Sequence, residues 1–198
     1  MDRRRFLTGI VCTTGLGTLL ADGAMAQRRP ANYDETVPGQ DPVARFFGYS
    51  NSPIARTNVG YASNQRPGSI VINTRERRLY LVLGNGQALR YGIGVGRDGF
   101  SWSGATRISA KREWPDWTPP EQMRRRRPDL PRHMPGGPDN PLGARAMYLG
   151  SSLYRIHGSN EPETIGQAVS SGCFRLTNED VIDLYNRVQV GATVVVQQ

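Results

Sequence analysis

The sequence predicts a mainly β domain, a sandwich or curled mixed sheet with one main α-helix, over residues 67–198. Three observations carry this. Short apolar, β-branched runs recur between Gly, Pro and Asn punctuation from Ser69 onward. Only one stretch, after Leu176, keeps a sustained helical spacing of apolar residues. Gly84-Asn85-Gly86 joins two of the runs in a tight hairpin, and many short strands with one helix imply a mainly β domain.

Ser69-Ile70-Val71-Ile72-Asn73 reads as the first strand and Arg78 to Leu83 as the second. Gly84-Asn85-Gly86 supplies the positive φ angles of a tight hairpin, and Ala88 to Val95 returns as the third strand. Thr106 to Trp114 is the fourth. Ala146 to Leu149 and Leu153 to Ile156 flank the turn Gly150-Ser151-Ser152. Thr177 or Asn178 caps the helix, and Glu179 and Asp180 complement its dipole. Val181, Leu184, Tyr185 and Val188 form its apolar face. Gly191 ends the element, and Ala192 to Val196 is the last strand. Pro115 to Leu142 is a long Pro- and Arg-rich connection, a length that is usually functional or disordered.

The amino terminus sets the compartment. Arg3-Arg4-Arg5-Phe6-Leu7, an apolar run from Gly9 to Leu20 and Ala24-Met25-Ala26 have the three-part form of a secretory signal over residues 1–26. The Arg-Arg-x-Phe-Leu order resembles a twin-arginine signal, which implies a periplasmic protein. A retained N-terminal anchor is the alternative. A lipoprotein reading through Cys12 is disfavoured by Val11. Residues 27–66 read as a mostly irregular leader, with Phe46, Phe47 and Tyr49 able to dock on the domain.

The formal charge of +8 would suit acidic partners. Nucleic acid is disfavoured for an exported chain, and the Arg124 to Arg127 run lacks interleaved aromatics. Other acidic partners would gain from the same charge by electrostatic steering.

Cleavage after Ala26 removes one of the two cysteines and leaves Cys173 alone. A lone cysteine in an oxidising compartment cannot be an intramolecular staple, so it marks a reactive thiol. It lies in Ser170-Ser171-Gly172-Cys173-Phe174-Arg175-Leu176, shortly after Ile156-His157-Gly158-Ser159-Asn160. A thiol attacks as thiolate, and a histidine at a strand end can take its proton. Glycine before the cysteine lets substrate approach the backbone, whose amides can hold an oxyanion.

These residues resemble the active-site signature of the L,D-transpeptidase (YkuD-type) catalytic domain. Pro141 to Gly150 resembles the family's approach to its histidine, and Thr177 to Val181 its helix after the cysteine. The similarity covers roughly Pro67 to Val196. One residue departs: Ser171 stands where the family usually has a second histidine.

The resemblance implies Cys173 as nucleophile, His157 as general base and acid, the Gly158 carbonyl as orienter of the imidazole, and the Gly172 and Cys173 amides as oxyanion donors. It also points to Arg175, Ser171 and Asn160 as substrate-binding residues. Arg175 would hold a substrate carboxylate or make a structural hydrogen bond to nearby carbonyls. The implied reaction is thioester formation on a peptidoglycan stem peptide, then transfer to an amine. The acceptor is a second stem, for wall cross-linking, or an outer-membrane protein, for anchoring; water would give carboxypeptidase activity. Carbapenems are implied as covalent inhibitors.

A sortase-like cysteine transpeptidase and a non-catalytic peptidoglycan-binding module are the rival readings. The short His157 to Cys173 spacing disfavours the first and the intact pair the second, although Ser171 keeps the second open. A papain-like peptidase would place its cysteine before its histidine. No cofactor is expected. Gly92-Ile93-Gly94-Val95-Gly96 has part of a dinucleotide fingerprint, but without the following helix it reads as a strand-end turn. No metal is expected, because only His157 and Cys173 cluster as soft ligands. His133 reads as a surface residue. Trp114 and Trp117 either line a cleft or pin the Pro115–Leu142 loop, with pinning favoured.

Overall fold

The computed structural model describes residues 52–98 and 100–198. The signal over 1–26, the leader as far as residue 51, and the docking of Phe46, Phe47 and Tyr49 lie outside the described residues. Among the described residues, eleven strands and two helices follow in order: β1 Thr57–Gly60, β2 Ile70–Asn73, β3 Arg78–Gly84, β4 Gln87–Gly92, β5 Val95–Gly96, β6 Gly104–Glu113, α1 Glu121–Arg126, β7 Arg145–Leu149, β8 Arg155–His157, β9 Ala168–Ser170, β10 Phe174–Arg175, α2 Asn178–Arg187 and β11 Thr193–Gln197. A 3₁₀ turn occupies Pro162–Thr164.

Nine strands form one sheet in the order β1-β4-β3-β2-β11-β6-β7-β8-β10. Its curl originates in β6. The first residues of β6, Gly104 to Arg107, pair with β11. The rest, from Ile108, pair with β7 through a register shift between Ile108 and Ala110. A ten-residue strand thus belongs to two halves of the sheet, and such shifts bend and twist a strand. The outer strand β10 runs parallel to β8, with Phe174 opposite Ile156 and Arg175 opposite His157.

The hairpin between β3 and β4 follows its turn chemistry. Asn85 and Gly86 take φ of 52° and 68°, and Gly84 pairs with Gln87 across them. Strand β2 is flanked by β3 and β11; Ile70, Val71 and Ile72 are all buried, so its run is continuously apolar rather than alternating. Ile70, Ile72, Leu79, Ile156, Phe174, Leu176, Val181 and Leu184 share one buried cluster. Each such side chain contributes about 1.5–3 kcal/mol by leaving water.

Thr177 is the cap of α2, its hydroxyl accepting the Asp180 N–H at 3.2 Å. The helix stops at Arg187, and the Lys111 ammonium donates to the carbonyls of Tyr185 and Val188 at 2.6 and 2.8 Å. Gly191 therefore lies in the turn beyond the helix, at φ 93°. Val188 is buried as the residue that ends the helix.

Four features were not read from the sequence. Residues 57–60, within the irregular leader, form edge strand β1 on β4. The third strand breaks at Ile93, and its tail becomes β5, paired in parallel with β9. The pair before the site shifts by two residues, since β8 begins at Arg155 rather than Leu153. The Pro115–Leu142 connection contains α1, six residues with none buried. The buried Asn140 side chain closes this connection on itself. Its amide donates to the carbonyls of Pro115 and Pro135, and its oxygen accepts the Leu142 N–H. Trp117 and Met134 exchange two backbone hydrogen bonds at 2.8 Å each. Trp114 ends β6 at φ 40°. His133 is exposed, 3.3 Å from the Thr118 hydroxyl.

Candidate active site

The site forms where β8 and β10 meet the Pro115–Leu142 loop. His157 is the last residue of β8. Its backbone is clamped from both sides: Leu176 N–H donates to the His157 carbonyl at 2.8 Å, and Gly158 N–H donates to Arg145 at 3.0 Å. The imidazole is 4% exposed, and its Nδ1 lies 2.6 Å from the Gly158 carbonyl. A carbonyl only accepts, so Nδ1 carries the proton and Nε2 is the basic nitrogen. Burial first, then the charge of Arg175, lower the imidazole pKa to about 3. Near neutrality the ring is an uncharged base.

Gly158 has no room for a side chain: a Cβ there would press on Asn178 Oδ1 and come within 3.1 Å of Ala144 N and Val181 Cγ1. Asn178 also accepts the Ala144 N–H at 2.8 Å. The helix start therefore fixes the segment that orients the imidazole.

Cys173 follows a tight turn. Gly172 sits at φ 106°, and a Cβ there would lie 2.5 Å from the Tyr154 ring and 3.1 Å from the Phe100 carbonyl. Tyr154 in turn stacks on Trp102, with ring centroids 5.0 Å apart. The buried Ser170 hydroxyl braces the turn, donating to the Cys173 carbonyl at 2.7 Å and accepting the Gly172 N–H at 3.1 Å. Gly172 is thus not the open oxyanion donor that the sequence suggested, because its amide is already engaged.

The thiol donates to the Leu153 carbonyl at 3.8 Å. Burial pushes its pKa up, against the Arg155 backbone and the charges of Arg155 and Arg175, which pull it down. Both shifts favour the uncharged forms, thiol and imidazole. The charges of both arginines favour a thiolate over a thiol at Cys173 and disfavour an imidazolium at His157.

Cys173 and His157 line one cavity of about 280 Å³, with Arg155, Arg175, Ser170 and Ser171. The Pro115–Leu142 loop supplies the other wall through Trp117, Met123, Arg126 and Leu142. Trp117 thus both lines the cleft and ties the loop through its bridge to Met134. Arg175 lines the cavity, and its Nη1 donates to Glu161 at 3.0 Å. Asn160 does not border the cavity. The chain turns away after Gly158, and the Asn160 amide donates to the Asp139 carbonyl at 3.1 Å.

Sequence reasoning missed Arg155, Ser170 and Gly96. Gly96 faces the cysteine turn so closely that a Cβ would meet the Phe100 carbonyl at 2.6 Å and Gly172 Cα at 3.1 Å. The alternating glycines at 92, 94 and 96 were the available signal. The structure gives them close approaches to Ile54, the Thr164 carbonyl and the Phe100 carbonyl.

The model of the L,D-transpeptidase catalytic domain matches residues 67–196. The chain belongs to the L,D-transpeptidase catalytic-domain family. It is 40% identical over 173 residues to the probable L,D-transpeptidase ErfK/SrfK of Escherichia coli, covering 83% of this chain and 54% of that protein. The chain spans about half the length of the curated relatives that it matches.

Among solved structures, an L,D-transpeptidase from Mycobacterium smegmatis shares the fold at TM-score 0.52 and 17% identity, over 65% of this chain and 58% of that one. A protein described as a probable carnitine operon oxidoreductase caia from Brucella melitensis is 46% identical at TM-score 0.50, covering 74% and 96% of the two chains. In the present L,D-transpeptidase domain, Gly92 to Gly96 leads into the β5–β9 ribbon. It provides no helix N-terminus of the kind that receives a pyrophosphate.

Proposed function

We propose that this chain is an exported, periplasmic L,D-transpeptidase acting on peptidoglycan stem peptides. The observation that carries the reading is the neutral His157, oriented by the Gly158 carbonyl, lining one cavity with the Cys173 thiol. His157 Nε2 takes the thiol proton as Sγ bonds to the carbonyl carbon of the stem's third residue. The Cys173 amide remains as oxyanion donor, since the Gly172 amide is committed to Ser170. The bond to the terminal D-alanine breaks, and its amine takes the proton from His157. An acceptor amine then attacks the thioester and loses a proton through His157, and the thiol is restored.

The acceptor is a second stem peptide or an amine of an outer-membrane protein, giving cross-linking or anchoring and a part in cell-wall organisation and cell shape. Carbapenems, as strained acyl donors, acylate the same thiol. The test is intact mass spectrometry with tetrapeptide muropeptides and with carbapenems. A stoichiometric adduct is expected on wild type and none on folded Cys173→Ala. An unmodified wild-type mass after long incubation with both reagents contradicts the reading.

A further inference from the structure

A second cavity, of about 500 Å³, adjoins the first and shares Met123, Arg126, Ser171 and Arg175 with it. Arg97, Arg127 and Glu161 complete its charged lining. Two of its four guanidinium groups are already answered: Arg175 by Glu161 at 3.0 Å and Arg127 by Asp129 at 2.6 Å. Arg97 and Arg126 have no carboxylate partner among the described residues. Instead both lie against the ring of Phe100, at 4.8 and 5.5 Å from its centroid. A guanidinium held by an aromatic ring keeps its N–H edge available for bidentate bonding to a carboxylate.

Phe100 also packs its carbonyl against Gly172. The two unanswered charges are therefore fixed relative to the cysteine turn.

We propose that this second cavity is a carboxylate subsite, in which Arg97 and Arg126 bind the free carboxylate at the side-chain end of a stem-peptide diamino acid. The inference rests on the transpeptidase reading and extends it. The first cavity holds the Cys173 thiol that would meet the reacting carbonyl, and the adjoining cavity, continuous with it at Met123, Arg126, Ser171 and Arg175, receives the carboxylate. Arg175 shapes the seam but is neutralised by Glu161, so discrimination falls to Arg97 and Arg126. The donor stem and the acceptor stem both carry this carboxylate, and the two half-reactions separate them.

Tetrapeptide donors are prepared in two forms, with that carboxylate free or converted to carboxamide, and acceptor peptides likewise. Acylation is read from D-alanine release, and transfer from the partition of the acyl-enzyme between acceptors. Wild type is expected to favour the free carboxylate at least about tenfold in kcat/KM in one half-reaction, which names the source. In Arg97→Gln and Arg126→Gln, both at exposed positions, that ratio falls toward one. Arg125→Gln removes the same charge from α1 outside the cavity and keeps the ratio. Equal use of both forms in both half-reactions overturns the subsite, as does a ratio that survives in the Arg97→Gln/Arg126→Gln double variant. Acyl-enzyme formation without the preference refutes the subsite alone. No acyl-enzyme from either donor refutes the transpeptidase reading and the subsite with it.

Discussion

The pH dependence of acylation tests the assigned roles of His157 and Cys173 most directly. Moving an imidazole from its ordinary value of about 6.5 to about 3 represents roughly 5 kcal/mol against the charged ring. His157 is 4% exposed, so little solvent screening offsets it. A base titrating at 6.5 would be mostly protonated at pH 5, and its rate would drop roughly 25-fold between pH 7 and pH 5. With the lowered value, the neutral fraction at pH 5 stays close to one. Carbapenem acylation of wild type is therefore expected to change less than about twofold between pH 5 and 7. His157→Ala should slow acylation at least about a hundredfold at neutral pH. Its residual rate should climb with pH past the ordinary thiol value of about 8.5, because burial pushes the Cys173 thiol up. Stopped-flow or rapid-quench mass spectrometry reads both, after circular dichroism confirms folding. A wild-type acid limb centred between pH 6 and 7 refutes the neutral-base assignment. Wild-type rates in His157→Ala refute the base itself. The same shift has a stability consequence. The unfolded chain protonates this ring below about 6.5 and the fold only near 3. The contribution is present above pH 6.5 and is lost as pH falls through the lower value.

Gly172→Ala should lower stability by about 2–3 kcal/mol through backbone strain and overpacking and cut acylation more than about tenfold. A thermal melt and an acylation rate both like wild type would contradict the packing of Tyr154 on the turn. Arg56 pairs at 3.2 Å with Asp180, whose carboxylate is 4% exposed and whose pKa burial raises to about 6 despite that charge. Arg56→Ala should cost about 2 kcal/mol at pH 7.5, discounted from a fully buried pair because Arg56 is partly exposed. The cost should shrink below pH 5.5 as Asp180 takes its proton; equal melting losses at both pH values would count against the pair. For export, N-terminal sequencing of natively expressed protein is expected to begin at Gln27, and a chain beginning at Met1 or Asp2 would rule out cleavage.

Much of the fold was legible because its signals are local. The β-branched runs, the Asn85-Gly86 turn and the Thr177-to-Val181 helix start each need only a few neighbouring residues, and the structure keeps those elements with shifted ends. The His-Gly and Gly-Cys pairs were visible for the same reason. Positive φ at Gly172 is a local demand that leaves glycine in the sequence, whereas the absent space at Gly158 is set by Asn178, Ala144 and Val181 from elsewhere in the chain. Edge strand β1 was less legible, because four residues with little burial acquire their strand state only by pairing with β4.

Other features required the chain to close on itself. The division of β6 between β11 and β7 depends on which strands stand beside it, which no window of residues records. The neutral state of His157 comes from burial and from Arg175, brought opposite it by the β8–β10 pairing. Gly172 was read as an oxyanion donor because its own sequence cannot show that the Ser170 hydroxyl takes the amide. Arg97 and Arg126 were unremarkable charges until both came to rest on Phe100. Sequence alone supplied the candidate nucleophile, the candidate base and the local elements, because each is chemistry within a short stretch. Tertiary structure decided protonation, hydrogen-bond partners and the second cavity, because these depend on distances between residues far apart along the chain.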